Sequence, residues 1–476
     1  MDGYRDSRQK EEQPSPEEET KYYAIERVKE EIPKHDFSTF DNSYDMPQGG
    51  NIWATPIYHN GVIYFGACNK NFYALSAETG KELWKFIAGD VIFSSAVIHD
   101  GVVYFGSYDG FLYALTLEGK LLWKFKTGHR IVSSPCVVED RVYFGSGDKK
   151  FYCLSTGGEK KWEFITGDAI VNSPAVVNND IYFGSFDKKF YCLSPDGAKK
   201  WEVIAGNFVG GFGSPVIADE RGNEIWNFRD RSHKKSPKTE NGFVYFGSRD
   251  NNFYCTDLNG EIKWKFITDG MTGSHGLLDN KNIYFSSFDR HVYSVTYDGK
   301  LNWKFEADGP ITNTPIFHDN KIYVASIDGS MYCIGENGKL VWKFDTGDII
   351  ISSPLIVNGV LYFGGGDANL YAIDTKERKV LWSFQTGFKP ANIKHVVKAF
   401  LEFDKQLFKL WKPETTKIKT SETDQGYKGK VDVPEGLTYG GEQTYSSSNP
   451  AYTGGGSYHS KRDKKKNKFG PKWMDM

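Results

Sequence analysis

A spacing of 39 residues between tryptophans limits what this chain can fold into more than any other feature. Neighbouring members of the series are 39 residues apart, except for 40 before the last member and 63 in the middle, which is one period plus 24 residues. The series is Trp84, Trp123, Trp162, Trp201, Trp264, Trp303, Trp342 and Trp382. A fixed period of about 40 residues indicates repeated structural units that stack on their neighbours.

Two further motifs recur in step with the tryptophans. The first begins with a tyrosine and reaches an Asn or Asp five residues later, at Asn69, Asp109, Asp148, Asp187, Asp250, Asp289, Asp328 and Asp367. The second is Ser-Pro-like and contributes Thr55, Ser95, Ser134, Ser173, Ser214, Ser274, Thr314 and Ser353. All three markers count eight units.

One unit, residues 134–166, is enough to predict the strands. The segments SPCVV, VYFGS, FYCLS and KKWEFI alternate with short polar or Gly-rich turns, which is the pattern of antiparallel hairpins. Aromatic residues make up 16% of the chain and glycines number 50, as expected for pleated surfaces joined by tight turns. The sequence therefore predicts an all-β protein, an eight-bladed β-propeller of four-stranded antiparallel blades, and excludes helical solenoids.

The repeats divide the chain into a propeller and its extensions. We expect the propeller over 51–388, with an insertion at 218–241 in the fifth blade, after a polar N-terminal extension over 1–50 that has a short helix near 21–31. Apolar residues at helical spacing after Pro390 predict an amphipathic helix over 389–412. Residues 413–476 are Gly-, Ser- and Lys-rich, which predicts a disordered tail.

Charge and hydropathy narrow the class of protein. The net charge is −2, the first 20 residues lack an apolar signal segment, and no stretch of 18 apolar residues occurs. We therefore expect a monomeric cytoplasmic protein with no membrane span. Nucleic acid is a candidate partner only through the basic run at 461–468.

The cysteines repeat with the blades. Four of the six, Cys153, Cys192, Cys255 and Cys333, occupy one position of the unit, where other units have Ala or Ser. Such a position requires a small side chain and not a thiol, so we expect buried, reduced, structural cysteines. The chain has no Cys-x-x-Cys pair, the spacing that would indicate a metal site.

These motifs resemble the PQQ-type (pyrroloquinoline-quinone-like) propeller repeat. The resemblance rests on Tyr-Phe-Gly-Ser-x-Asp, Leu-Tyr-Ala-Leu, Gly-Lys-x-Leu-Trp-Lys-Phe and Thr-Gly in register across all eight units. The family includes quinone-dependent alcohol and sugar dehydrogenases, and also a non-catalytic lipoprotein that serves outer-membrane protein assembly. Members with enzyme activity carry long insertions around the cofactor, adjacent cysteines and carboxylates that hold calcium. This chain has no adjacent cysteines and mostly minimal units, which favours the non-catalytic branch, with no catalytic residue, no cofactor and no metal.

Departures from the repeat mark the candidate binding residues of a protein-interaction scaffold. Units five and six deviate at 207–215 and 270–276, where His275 replaces the usual Pro. The loops on the same predicted face carry the cationic candidates Arg130, Lys149, Arg249 and Arg290. They suggest a seat for a polar or anionic peptide at the mouth of the central channel, although drift in one sector of the ring would leave the same pattern.

The insertion supplies the other two candidates. It interrupts the first hairpin of unit five, so we expect it to project from the opposite face. Trp226 and Phe228 have no counterpart in the other units, and a partner contact is one interpretation. In the alternative interpretation, both side chains fold back on the rim of the propeller.

A third functional hypothesis places the activity at the chain ends. The amphipathic helix over 389–412 and the basic tail would then make the protein an assembly or tethering factor.

Overall fold

The computed structural model describes residues 49–211, 213–273, 276–279 and 281–387, and these form strands joined by turns. No helix long and apolar enough to cross a membrane occurs in these ranges. The predicted helices near 21–31 and over 389–412, and the predicted disordered tail over 413–476, lie outside the described residues.

The described strands form eight antiparallel blades in chain order. Blades 1 to 4 consist of β1 (Ile57–His59), β2 (Val62–Gly66), β3 (Asn71–Ser76), β4 (Glu82–Ile87); β5 (Val97–His99), β6 (Val102–Gly106), β7 (Phe111–Thr116), β8 (Leu121–Lys126); β9 (Cys136–Val138), β10 (Arg141–Gly145), β11 (Lys150–Ser155), β12 (Lys160–Ile165); β13 (Ala175–Val177), β14 (Asp180–Gly184), β15 (Lys189–Leu193) and β16 (Lys199–Ile204). Blades 5 to 8, with the insertion, consist of β17 (Val216–Asp219), β18 (Glu224–Trp226), β19 (Ser232–His233), β20 (Gly242–Gly247), β21 (Asn252–Asp257), β22 (Ile262–Ile267); β23 (Leu277–Leu278), β24 (Asn282–Ser286), β25 (His291–Thr296), β26 (Leu301–Glu306); β27 (Ile316–His318), β28 (Lys321–Ala325), β29 (Ser330–Gly335), β30 (Leu340–Asp345); β31 (Leu355–Val357), β32 (Val360–Gly364), β33 (Asn369–Asp374) and β34 (Lys379–Gln385). The predicted eight blades, each with four consecutive antiparallel strands of the repeat, are confirmed, and the insertion adds one strand to blade 3 and one to blade 5.

The repeated tryptophan joins each outer strand to the next blade. The indole N–H of Trp84 donates to the carbonyl oxygen of Leu117 at 2.8 Å, across the boundary between blades 1 and 2. The same bond closes the ring, because the indole N–H of Trp382 in blade 8 donates to the carbonyl oxygen of Ala77 in blade 1 at 3.1 Å. Blade 1 and blade 8 each keep their own four consecutive strands, so the ring closes without strand exchange.

Stacked aromatic rings fill the boundaries between blades. Phe72 of blade 1 stacks on Phe105 of blade 2 with ring centroids 4.2 Å apart. Phe151 and Phe183 repeat this contact between blades 3 and 4, also at 4.2 Å. These side chains are almost fully buried, and burial of each aromatic ring removes about 150–250 Å² from water.

The pairing of the third and fourth strands explains the small-residue position. Cys153 lies directly opposite Trp162, and Ala74 lies directly opposite Trp84. A β-bulge follows the small residue in each pair, so a large side chain there would meet the indole ring. All six cysteines are free and buried, which confirms the interpretation of this position as a packing site.

The repeated aspartate caps its turn, as the sequence indicates, and also joins two blades. One carboxylate oxygen of Asp109 accepts the backbone N–H of Phe111 at 2.9 Å. The other accepts the hydroxyl of Tyr113 at 2.6 Å and the backbone N–H of Gly89, in the loop from blade 1, at 2.7 Å. The recurrence of Asp is therefore architectural.

Candidate functional site: the two ends of the axis

The turns of the blades fall on two faces because the strands alternate in direction. The turns between first and second strands and between third and fourth strands define the lower face. The turns between second and third strands, together with the loops into the next blade, define the upper face. The insertion belongs to the lower face because it leaves the turn that follows β17.

The insertion crosses the lower end of the axis. Strand β18 adds to the axial edge of β17, which gives blade 5 a fifth, innermost strand. Strand β19 then pairs in parallel with β9, the innermost strand of blade 3. On its return the chain passes blade 4, where the carbonyl oxygen of Pro237 accepts the backbone N–H of Asn178 at 2.8 Å.

The prediction that the insertion projects from the propeller is wrong. The innermost strand of a blade has an edge of backbone N–H and C=O groups facing the axis, and a segment that pairs with them satisfies both chains. Trp226 is 1% exposed and Phe228 is 4% exposed, so neither offers a surface to a partner in this fold. As the alternative interpretation expects, both side chains fold back on the propeller, but they pack at its axial end and not at the rim.

Two arginines hold the insertion beneath the channel. The guanidinium of Arg231, 3% exposed, donates to the carbonyl oxygens of Phe228 at 2.8 Å, Pro135 at 2.9 Å, Ala96 at 2.8 Å and Ser95 at 3.2 Å. Arg229 donates to the carbonyl oxygen of Pro315 in blade 7 at 2.7 Å. Desolvation lowers the pKa of each to about 10, so both remain cations at neutral pH.

The upper end of the axis carries aromatic rings and guanidinium groups. Trp53 stacks on Phe93 with centroids 4.7 Å apart, and Phe93 meets the edge of Tyr108 at 4.6 Å. The guanidinium carbon of Arg130 lies 5.0 Å from the centroid of Tyr108. These residues form the first mouth cluster (Trp53, Phe93, Tyr108 and Arg130).

A second cluster of the same chemistry lies at blades 4 and 5. Phe186 stacks on Phe208 with centroids 4.8 Å apart. The guanidinium carbon of Arg249 lies 5.2 Å from the Phe186 centroid and 5.7 Å from the Phe208 centroid. We call these three residues the second mouth cluster. A guanidinium held over aromatic faces is preoriented to receive a carboxylate along its edge.

The other cationic candidates lie in turns of the upper face. Lys149 and Arg290 adopt φ values of +69° and +76°, at a turn position that other blades fill with Lys188, Ala368 or Gly110, also at positive φ. Arg290 is exposed and pairs with Glu306 at 2.5 Å. The remaining candidate, His275, lies outside the described residues.

The sequence analysis missed the aromatic members of both clusters and the neighbouring His129. The residue before each repeated Asp is Cys68, Tyr108, Gly147, Phe186, Arg249, Phe288, Ile327 and Gly366. High variability at one position of an otherwise constant motif was the available signal. Burial, and then repulsion from Arg130, lowers the pKa of His129. Its Nδ1 is buried and has no hydrogen-bond partner among the described residues.

A small cavity lies on the axis between the two ends. Its lining includes the repeated hydroxyl residues Thr55, Ser95, Ser134, Thr314 and Ser353, with Trp53 and Phe93 above and Phe228 on the side of the insertion. The centre of a water molecule can occupy about 40 Å³ of this space, which by that measure is room for a few waters.

The axial cavity does not fit the quinone cofactor that enzymes with PQQ-type repeats bind. Cofactor sites enclose about 300–1,000 Å³, and the lining consists of hydroxyl, apolar and glycine residues and the amide of Asn313, without a carboxylate. No group of three or more His, Cys, Asp or Glu residues that could hold a metal occurs within the described ranges. We therefore derive no chemistry through a quinone.

Comparison with known proteins assigns the family. The family model described as "Outer membrane protein assembly factor BamB" matches residues 69–297 and 289–426, so the chain belongs to this family of PQQ-type propellers. No curated sequence matches the chain.

Solved structures agree on the fold. BamB from Moraxella catarrhalis is 17% identical, with a TM-score of 0.52, over 70% of this chain and 94% of that one. Sqt1 from Saccharomyces cerevisiae is 12% identical, with a TM-score of 0.56, over 67% and 95%. The computationally designed protein Ika8 is 12% identical, with a TM-score of 0.55, over 66% and 94%.

Proposed function

We propose that the protein is a non-catalytic scaffold that binds a protein partner at the upper mouth of the propeller. The observation that carries the proposal is the pair of mouth clusters, each a guanidinium stacked on aromatic rings. Aromatic residues and arginine are the side chains most enriched at the energetic centres of protein interfaces.

The chemistry of the clusters favours a partner segment that combines acidic and apolar or aromatic side chains. The stacked guanidinium groups of Arg130 and Arg249 would receive carboxylates, with Lys149 adding positive charge on the same face, whereas the charge of Arg290 is balanced by Glu306. The half-buried faces of Trp53, Tyr108 and Phe208 would receive the apolar side chains. This specifies the anionic peptide seat that the sequence suggests.

Closure of the lower end supports an approach from the upper face. The insertion occupies the axial edges of blades 3 and 5 and buries Trp226 and Phe228. These two side chains, which the sequence suggested as partner contacts on the lower face, are therefore buried in the protein and cannot contact a partner.

Charge reversal tests the proposal. Arg130→Glu combined with Arg249→Glu should reduce recovery of co-purifying proteins by at least about tenfold, because two charged contacts become repulsive. The matched control is Lys234→Glu combined with Lys235→Glu, two exposed lysines of the insertion. Equal recovery with both pairs, at unchanged melting temperature, would refute binding at the upper mouth.

A quinone-dependent dehydrogenase is the alternative of a different class. The small axial cavity argues against it, and a dye-coupled assay with alcohols or sugars, quinone and calcium tests it directly. Turnover above the uncatalysed rate would replace the scaffold proposal.

The tethering hypothesis is separable from the scaffold proposal. Removing 389–476 should leave capture at the upper mouth intact, whereas a tether through the ends loses its partner. The cytoplasmic location expected from the sequence is part of this proposal, and fractionation of the full-length protein tests it.

A further inference from the structure

The repeated hydroxyl residues that line the axial cavity are called the hydroxyl ring below; they are Thr55, Ser95, Ser134, Thr314 and Ser353. Three of them have a hydroxyl proton that is not used in a hydrogen bond within the described residues. The hydroxyl oxygens of Ser95 and Ser134 accept the backbone N–H groups of Thr55 and Ser95, both at 2.9 Å. The Ser353 hydroxyl oxygen accepts the Thr314 N–H at 3.1 Å. These hydrogen bonds use the oxygens as acceptors, and within the described residues the hydroxyl groups of Ser95, Ser134 and Ser353 donate no hydrogen bond.

One cavity hydroxyl has no partner of any kind within the described chain. Thr312 lines the cavity and is 7% exposed, and its Oγ1 is buried without a hydrogen bond. A buried hydroxyl without a partner costs about 1–3 kcal/mol. Hydrogen bonding to a ligand in the cavity would remove that cost.

Positive charge lies directly below this ring. Arg231 donates to the carbonyl oxygens of Ser95 and Pro135, and Arg229 donates to that of Pro315. Ser95 is a ring residue, while Pro135 and Pro315 directly follow the ring residues Ser134 and Thr314. Arg231 has only carbonyl partners and no carboxylate in the described ranges. It also lies 4.7 Å from the ring centroid of Phe228, which lines the cavity.

We propose that the axial cavity binds a small monovalent anion, either a halide or the carboxylate of a small acid. Hydroxyl protons of the ring and of Thr312 would point at the anion, and the cations of the insertion would favour it from below. Only a small anion fits, because the cavity has room for a few waters. The bound anion would join the ring to the insertion, below Trp53 and Phe93, which line this cavity and also belong to the first mouth cluster.

Diffraction from crystals of the full chain soaked in bromide tests the site directly. The expected result is an anomalous peak on the axis, within contact distance of the hydroxyl groups of Ser95 and Ser134. Bromide peaks confined to the outer surface, together with no effect of formate in the melts described below, would overturn the proposal.

Two threonine variants provide the test in solution. Thr312→Val removes a hydroxyl that has no partner within the described residues. Thr256→Val removes another buried hydroxyl without a partner there, but it lies in β21, away from the cavity lining. Neither should lower stability, because each replaces an unsatisfied hydroxyl by a methyl group of similar shape. Thermal melts would compare chloride with bulky gluconate at equal ionic strength, with formate as the carboxylate arm.

The two variants should respond differently to the anions. The melting temperature of the Thr256→Val protein should rise with chloride or formate as for the unchanged protein, whichever anion is the better ligand. Thr312→Val should weaken the apparent anion affinity about three- to tenfold, the range of one hydrogen bond. Equal dependence in both variants, or no difference between chloride, formate and gluconate, would contradict an axial anion site.

Discussion

The two ends of the propeller axis are built from different parts of the sequence. The lower end is closed by residues that interrupt the repeat, and they pair with backbone edges of blades 3 and 5. The upper end is formed by positions inside the repeat, where individual blades have aromatic or arginine side chains. The insertion is therefore part of the buried core. The surface that we propose for partner binding is formed instead by side chains that differ from blade to blade at positions of the repeat.

If the two ends differ in this way, the largest effect on the free energy of unfolding should come from a substitution at the lower end. Trp226→Ala should lower the free energy of unfolding by about 3–5 kcal/mol, because a fully buried indole leaves a cavity. Chemical denaturation measures this loss. Trp162→Ala is the matched comparison at the rim, where the ring is only half-buried, and should cost less. A loss below about 1 kcal/mol for Trp226→Ala would mean that this side chain is not buried in the core and lies at the surface.

Arg231 should have the next largest effect. Arg231→Met should cost about 2–4 kcal/mol, because the carbonyl oxygens of Ser95, Ala96 and Pro135 lose their donor. Arg221→Met, at an exposed position of the same insertion, should change stability by no more than about 0.5 kcal/mol. Equal effects of the two substitutions in denaturation would mean that the insertion does not clamp the axis.

The mouth clusters should contribute little to stability. Arg130→Ala should cost less than about 1 kcal/mol, because a cation–π contact of a partly exposed guanidinium is worth about 0.5–1 kcal/mol. Thermal melts would check this value beside the capture assay. A loss as large as that of Arg231→Met would make Arg130 a structural residue and remove it from the proposed interface.

The smallest effect concerns pH. The pKa of His129 is lowered by burial and by Arg130, so the unfolded chain binds a proton more readily than the folded one. Above the unfolded pKa of about 6.5 this difference has no effect on stability, and stability is lost as the pH falls below that value towards the lower pKa of the folded state. Stability curves between about pH 5 and pH 8 should be less steep for His129→Gln than for the unchanged protein, and identical curves would count against this assignment.

The sequence was sufficient to predict the blades because the residues that pack each blade recur at the same positions in every unit. The opposition of Trp162 and Cys153, the turn at Asp109 and the closing contact of Trp382 all follow from positions that recur. The path of the insertion could not be predicted, because it has no repeat to compare with. Pairing of Ser232 and His233 with β9 depends on the position of blade 3, two blades away around the axis, a relation visible only in three dimensions.

The candidate site was predicted in part for the same reason. Charge and position drew attention to Arg130 and Arg249, but nothing in a linear sequence indicates that Tyr108 lies under one guanidinium and Phe186 under the other. Trp226 was misassigned because an aromatic residue outside a repeat can equally be an interface anchor or a core residue. Burial decided between these interpretations.

Site-specific photo-crosslinking tests the central claim most directly, because it compares the two faces in one protein. A photoreactive residue would replace Lys188, exposed in an upper turn beside Phe186, or Lys235, exposed on the insertion of the lower face. We predict crosslinks to a partner protein from position 188 and none from position 235, and loss of the first in the protein with Arg130→Glu and Arg249→Glu. Crosslinks from position 235 alone, or crosslinks from position 188 that persist in the charge-reversed protein, would contradict binding at the upper mouth.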